Sequence, residues 1–144
     1  VRAVIQRVNG AKVTVDSRTV GAIEGEGLMV LIGATHDDAP DDVAYVVKKI
    51  ANLRLLEGEL SVLDAEAPIL VVSQFTLYAD IRKGRRPSWF NAAGREVAEP
   101  LVEQVVTGLR EHGLTVATGE FGADMMISMN ASGPVTIWVD SRDR

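Results

Sequence analysis

Apolar and polar residues alternate along Arg2–Val8 and again along Ala11–Asp16, where Val13 and Val15 share a face. A period of two marks strands with one buried face. Asn9-Gly10 lies between the two runs and is the strongest short hairpin signal. Arg18–Ile23 reads as a third, short strand, Gly25 and Gly27 punctuate, and the unbroken apolar run Leu28–Ile32 reads as a central strand. The first quarter therefore predicts a β-meander. The period then lengthens. Val43, Val46, Val47 and Ile50 fall at helical spacing, Pro40 suits a first helical position, and Asp41 and Asp42 sit where the helix dipole favours acids. Lys48 and Lys49 lie near the far end. Leu53–Leu56 and Leu60–Leu63 read as short strands around a Glu57-Gly58 turn.

Ile69–Asp80, ILVVSQFTLYAD, begins as a buried strand and then turns polar at Ser73, Gln74 and Thr76. Continued strand alternation sets Gln74, Thr76 and Tyr78 on one face and Ser73, Phe75 and Leu77 on the other. Either this strand end emerges into water, or it lines a pocket that satisfies its polar groups; an unpaired buried amide or hydroxyl costs roughly 1–3 kcal/mol. The following loop, Ile81–Gly94, sets Arg82, Lys83, Arg85 and Arg86 close together, with Trp89 and Phe90 behind them. Such a cluster is either a solvated run paired with nearby acids or a phosphate-contacting loop with aromatics available for stacking. Its place directly after the polar strand end favours the second reading.

Glu96–His112 is predicted as a second helix, with a buried stripe of Val97, Leu101, Val105 and Leu109 and with Pro100 near the first turn. His112 reads as a helix cap and His36 as a solvated loop residue. Leu114–Ala117 reads as a strand and Gly119–Ala123 as a turn holding Phe121. Met125–Met129 reads as a strand whose methionines fill core, Asn130–Gly133 as a turn and Pro134–Val139 as a strand. The whole, residues 1–144, is predicted to be one α/β domain with a mixed sheet or barrel and two main helices.

Composition narrows the chemistry. The 144 residues are 47% hydrophobic, enough for one self-sufficient core. There are no cysteines, so disulfides, thiolate nucleophiles and cysteine-bound metals are excluded, and with 2 histidines a histidine-rich metal site is not expected. No cofactor is called for. A net charge of −5 argues against nonspecific nucleic-acid coating but leaves room for a local basic patch. The opening VRAVIQRV reads as a strand rather than a secretory apolar core, and no apolar run approaches a membrane span, so a cytoplasmic protein is expected.

No nucleophile elbow, Walker loop, HExxH or dinucleotide fingerprint is present. An enzyme built this way has no evident side-chain base and must work by positioning and backbone donors. That suits an already reactive substrate such as an ester.

Five segments carry a resemblance that runs essentially end to end: Gln6-Arg7-Val8, Ser73-Gln74-Phe75-Thr76-Leu77, Lys83-Gly84 to Arg86-Pro87-Ser88, Thr118-Gly119 through Gly122-Ala123-Asp124-Met125, and Gly133-Pro134-Val135-Thr136. Together they closely resemble the D-aminoacyl-tRNA deacylase family. One position departs: the family's Asn two places before the Gly falls on Ala131, with Asn130 one residue earlier. The resemblance implies a homodimer with its active site at the interface and aminoacyl-tRNA as partner. It implies hydrolysis of D-aminoacyl-tRNA, and of glycyl-tRNA, with a cis Gly133-Pro134 wedge rejecting L side chains. Gln74, Phe75 and Thr76 would hold the ester and terminal adenosine beside Ser73. Arg7 would brace the wedge, Phe121 and Met125 would line the pocket, and Arg82, Lys83, Arg85 and Arg86 would meet tRNA. The ribose 2′-hydroxyl would help activate water. Thr76 as covalent nucleophile of a small-molecule esterase, and a non-catalytic tRNA-binding module, are the alternatives.

Overall fold

The computed structural model describes residues 1–144. Its first two strands, β1 (Arg2–Val15) and β2 (Arg18–Gly33), form one long antiparallel hairpin instead of the predicted meander of shorter strands. The turn is Asp16-Ser17, both at positive φ (48° and 66°), as a two-residue hairpin turn of matching twist requires. Asn9-Gly10 is not the turn. Gly10, at φ 88°, lies inside β1 where the register shifts between Asn9 and Ala11. Both dipeptides tolerate left-handed backbone, and the long apolar register decides between them: Val8, Ala11, Val13 and Val15 are all buried. Gly25 and Gly27 likewise sit within β2 rather than ending a strand.

Helix α1 (Pro40–Asn52) follows, with Val43, Val46, Val47 and Ile50 buried as their spacing predicts. The two short strands expected next reduce to one bridge between Leu56 and Leu60. Val62–Ala65 is instead a short helix, α2, because Ser61 and Asp64 cap it reciprocally: Asp64 N–H donates to Ser61 Oγ and Ser61 N–H to Asp64 Oδ2, both at 3.0 Å. Strand β3 (Ile69–Ser73) is buried through Val72 with Ser73 half-buried, and helix α3 (Arg95–Glu111) packs on α1. In α3 the buried face is Ala98, Leu101, Val105, Val106 and Leu109; Val97, expected in the stripe, is 36% exposed. His112 caps α3, its Nδ1 2.8 Å from Gly108 O.

Strand β4 is Val116–Thr118, and β5 runs unbroken from Met126 to Asp140 in place of two strands and a turn. β5 pairs with β1, but Gln6 faces Thr136 and Val8 faces Ala131, so Ser132–Val135 bulge out opposite Arg7. The methionines are not core filler throughout: Met126 and Met129 are 72% and 44% exposed, because β5 is an edge strand.

The sheet order is β4-β3-β2-β1-β5, with β3 parallel to both β2 and β4 and the hairpin and β5 antiparallel. One face packs on the helices around Ile5, Val30, Ile50, Ile69, Val105 and Leu109. The other face closes on itself around Val8, Val13, Met29, Leu70 and Val72. Each such fully buried side chain contributes about 1.5–3 kcal/mol. The sheet is open in its hydrogen bonding, yet it curls until β2 meets β4: a Cβ on Gly21 would lie 2.1 Å from Thr118 O. No helix is long and apolar enough to cross a membrane.

That close approach is testable. Gly21→Ala should destabilise the fold by about 1–3 kcal/mol, the usual cost of overpacking. The expected result is a lower urea midpoint at unchanged slope; an unaltered midpoint would show that the two strands do not meet there.

Candidate active site

The strand expected over Ile69–Asp80 stops at Ser73. Gln74 N–H donates to Ile32 O at 2.7 Å, the last bond to the sheet, and Phe75–Tyr78 coil into a 3-10 turn. The alternating faces predicted for Gln74 to Tyr78 therefore do not exist. The turn points Phe75 outward, 52% exposed, and buries Tyr78. It also places Phe75 and Thr76 at a helix start, where backbone N–H groups have no partner inside the helix.

Beside this strand end lies a cavity of about 420 Å³, lined by Ser73, Gln74, Phe75, Arg95, Phe121, Met125 and ten other residues. Of the two readings of the polar strand end, the geometry is that of a pocket wall. The lining is mostly apolar, and Arg95 is its one ionisable side chain. Arg95 Nε donates to Glu99 Oε2 at 2.7 Å, and its guanidinium lies 5.5 Å over the Phe121 ring. No carboxylate, histidine or phenol lines the cavity, so the cavity wall itself offers no general base. The Gln74 amide donates to Thr76 Oγ1 at 2.5 Å. Thr76 is not among the lining residues, and its hydroxyl oxygen serves as an acceptor beside no base.

The 3-10 turn is clamped from β1. Arg2 Nη1 donates to Leu77 O at 2.9 Å, Arg2 Nε to Asp140 Oδ2 at 3.0 Å, and its guanidinium stacks 4.3 Å over Tyr78 and 5.4 Å over Trp138. Burial, with Asp38 and Asp140 nearby, pushes the Tyr78 phenol far above its ordinary range, so it stays neutral. Nothing in residue spacing pointed to Arg2; its role depends on strand β1 passing the turn.

Arg7, Gly133 and Pro134 are brought together, but away from this cavity. The Gly133-Pro134 peptide is cis and exposed in the single chain. Arg7 Nε donates to Ser132 O (3.3 Å) and Oγ (3.1 Å), and Arg7 Nη1 to Leu55 O at 3.3 Å. Gln6, named in the sequence only as part of the Gln6-Arg7-Val8 segment, fixes the other side of the bulge. Its Nε2 donates to Val135 O at 3.2 Å, and its Oε1 accepts from Thr136 Oγ1 at 2.5 Å. Asn130 Nδ2 donates to Asn9 O at 3.2 Å, across to β1 rather than within its own segment.

Arg82, Lys83, Arg85 and Arg86 are exposed on the tip of their loop. The base of that tip is closed by paired bonds between Asp80 and Ser88 at 2.8 and 2.9 Å. Arg82 has Asp80 at 3.8 Å, and the other three make no ion pair. His36, expected to be solvated, holds this loop through Nε2, 2.6 Å from Phe90 O.

Comparison with known proteins bears on this geometry. A family profile described as D-Tyr-tRNA(Tyr) deacylase matches residues 4–140. A protein of Kineococcus radiotolerans named D-aminoacyl-tRNA deacylase is 56% identical over 140 residues, 97% of this chain and 99% of its own. One of the same name from Streptomyces coelicolor is 57% identical over 139 residues, 96% and 99% of the two chains. Among solved structures, "c-Myc DNA Unwinding Element Binding Protein" superposes with a TM-score of 0.89 at 38% identity, covering 97% of this chain and 98% of that one. A "probable eukaryotic D-amino acid tRNA deacylase" superposes at 0.84 and 19% identity, over 96% and 98%, which speaks for the shared fold alone.

The Arg2 clamp should be measurable by amide exchange. Arg2→Met removes the bond to Leu77 O and the cation over Tyr78, each worth about 1 kcal/mol. The Leu77 and Ala79 amides, which close the turn, should then exchange about fivefold faster or more. Unchanged protection of both would mean that Arg2 does not hold the turn.

Proposed function

This chain belongs to the D-Tyr-tRNA(Tyr) deacylase family, and on that premise we propose that it hydrolyses the ester of D-aminoacyl-tRNA in the cytoplasm. The observation that carries the reading is the cavity at the end of β3, whose polar wall is Ser73 and Gln74 and whose lining offers no acid–base residue. An aminoacyl ester is already activated, so positioning and charge stabilisation suffice. Ideal orientation supplies up to about 7–11 kcal/mol, and one well-placed donor about 2.7–4 kcal/mol.

In this proposal Gln74 and the Phe75 and Thr76 N–H groups hold the ester and the terminal adenosine, beside Ser73, with Phe121 and Met125 against them. Water attacks the ester carbon, and the N–H groups stabilise the negative charge that develops on the carbonyl oxygen. The bond to the ribose oxygen then breaks, and that oxygen takes up a proton. The neighbouring 2′-hydroxyl helps activate the water. Thr76 as nucleophile is disfavoured, because the Gln74 amide donates onto its oxygen and no base stands beside it.

The Gly133-Pro134 bulge is proposed as the chirality filter, acting in the cavity of a second copy. Two observations support this. The bulge lies apart from its own chain's cavity, and β5, which carries it, is an edge strand with Met126, Met129 and Trp138 exposed. A main-chain wedge braced by Arg7 would exclude an L side chain by collision, while glycine, with no side chain, would pass. Arg82, Lys83, Arg85 and Arg86 are proposed to meet tRNA phosphates.

The direct test is hydrolysis of D-tyrosyl-tRNA against L-tyrosyl-tRNA, with cleavage of the D form alone expected. Equal rates, or none, would reject the reading. Gly133→Ala probes the filter. Gly133 sits at φ 109°, and a Cβ there would fall 2.8 Å from Arg7 Nη2 and 3.0 Å from Val135 N. The expected loss is at least about tenfold in kcat/KM or in D-over-L preference, the equivalent of ~1.4 kcal/mol. Full retention of both would remove the bulge from the mechanism.

A further inference from the structure

The aromatic side chains around the cavity mouth are exposed yet held in place. Phe75 is 52% exposed, Trp89 44% and Phe90 82%. Exposed aromatics in a mobile loop would be unremarkable, but these are fixed from both sides. Phe75 and Trp89 meet edge to face, with ring centroids 5.3 Å apart and planes at 76°. Ala92 N–H donates to Trp89 O at 3.0 Å, and Ala93 N–H to Ala34 O at 3.0 Å. Thr35 Oγ1 donates to Asn91 O at 2.6 Å. His36 lies edge-on to Phe90, centroids 6.2 Å apart. The result is an exposed aromatic pair, Phe75 and Trp89, that begins at the cavity wall, with Phe90 next in the chain and held against His36.

Phe75 lines the cavity, and Trp89 and Phe90 follow directly on the Asp80–Ser88 pair that closes the base of the basic tip in the same loop. Lys83, Arg85 and Arg86 are exposed and make no ion pair, in a chain of net charge −5. Exposed π-faces on one loop with unpaired cations fit one partner chemistry: single-stranded nucleic acid, whose bases stack while its phosphates meet the cations. A second copy of this chain fits poorly here. A symmetric contact through these aromatics would set each cationic tip against the other or leave it idle at the rim.

We infer that Trp89 and Phe90, continuing from Phe75, form a stacking shelf for the unpaired nucleotides that precede the terminal adenosine of the acylated RNA. Lys83, Arg85 and Arg86 meet the phosphates of those nucleotides. This rests on the deacylase reading and adds to it a second recognition element outside the cavity. The enzyme thus reads an acylated strand rather than an acylated nucleoside. The shelf shares binding with the cavity, so its worth falls mainly in KM, at about tenfold for one stacked base. The phosphate contacts make that advantage fall with added salt.

The test compares three substrates: D-tyrosyl-adenosine, D-tyrosyl-CCA trinucleotide, and the same trinucleotide lacking its two cytosine bases. The wild-type enzyme should cleave the trinucleotide with kcat/KM at least about tenfold above the nucleoside, and the base-free trinucleotide should lose most of that gain. The trinucleotide-to-nucleoside ratio, taken on one enzyme preparation, should drop severalfold in Trp89→Ala and in Phe90→Ala and be largely kept in Trp89→Phe. Phe90→Ala guards against misfolding, since that ring is 82% exposed and leaves the core intact. A wild-type ratio near one, or a ratio that both alanine variants preserve, overturns the shelf while leaving the deacylase reading standing. Dissociation of a dimer by these variants would also overturn it, by assigning the aromatics to a second copy. Failure of the wild-type enzyme on every D-tyrosyl ester, tRNA included, removes both.

Discussion

β3 is paired in parallel on both sides, and the position of the cavity follows from that pairing. Leu28–Ile32 of β2 on one side and Val116–Thr118 of β4 on the other hold five residues of β3 in register. A strand with two parallel neighbours is buried on both faces, which is why Ile69–Val72 are all apolar. The neighbours do not end together: β4 stops opposite Val71, while β2 runs to Gly33. Beyond Ser73 the chain must leave the sheet, and the space past β4 is left to Phe121, Met125 and α3. In open α/β sheets ligand sites gather at the carboxyl ends of parallel strands for this reason.

The turn that follows carries the candidate site, and its shape is set by contacts far away in sequence. Gly33 lies so close beneath it that a Cβ there would come 2.7 Å from Gln74 O. Arg2 holds its far end through Leu77 O, and Tyr78 anchors it in the core. Leading Phe75 outward exposes the ring that meets Trp89. Cavity, donors and aromatic pair therefore depend on one change of backbone from strand to 3-10 turn.

The bulge opposite Arg7 is governed by hydrogen bonds rather than by burial. Ser132–Val135 leave the β1 ladder, and the side chains of Gln6 and Arg7 replace the lost backbone partners. This keeps an exposed loop-out in a fixed form on an edge strand, where backbone groups would otherwise be open to any pairing strand. It also gives a role to Gln6 and Arg7, the two adjacent polar residues that stand opposite the bulge in β1.

The sequence by itself determined the two long helices and the buried strands, because period and burial there are the same fact. Val43 to Ile50, Leu101 to Leu109 and Ile69 to Val72 had one way to hide their apolar faces. It also marked Ser73 to Thr76, the basic loop and Gly133-Pro134 as places where polar or rigid residues stand against the pattern. It placed the hairpin turn at Asn9-Gly10, whereas the chain turns at Asp16-Ser17, since both accept positive φ locally and only the pairing of the whole hairpin separates them. It could not see Val62–Ala65 turn helical or the strand break after Ser73, because a few residues satisfy either geometry until neighbours claim their hydrogen bonds. The roles of Arg2, Gln6 and Arg95 came into view only with the tertiary structure. What they contribute is a contact across tens of residues, and no local pattern of hydrophobicity or charge encodes which distant backbone a side chain will meet.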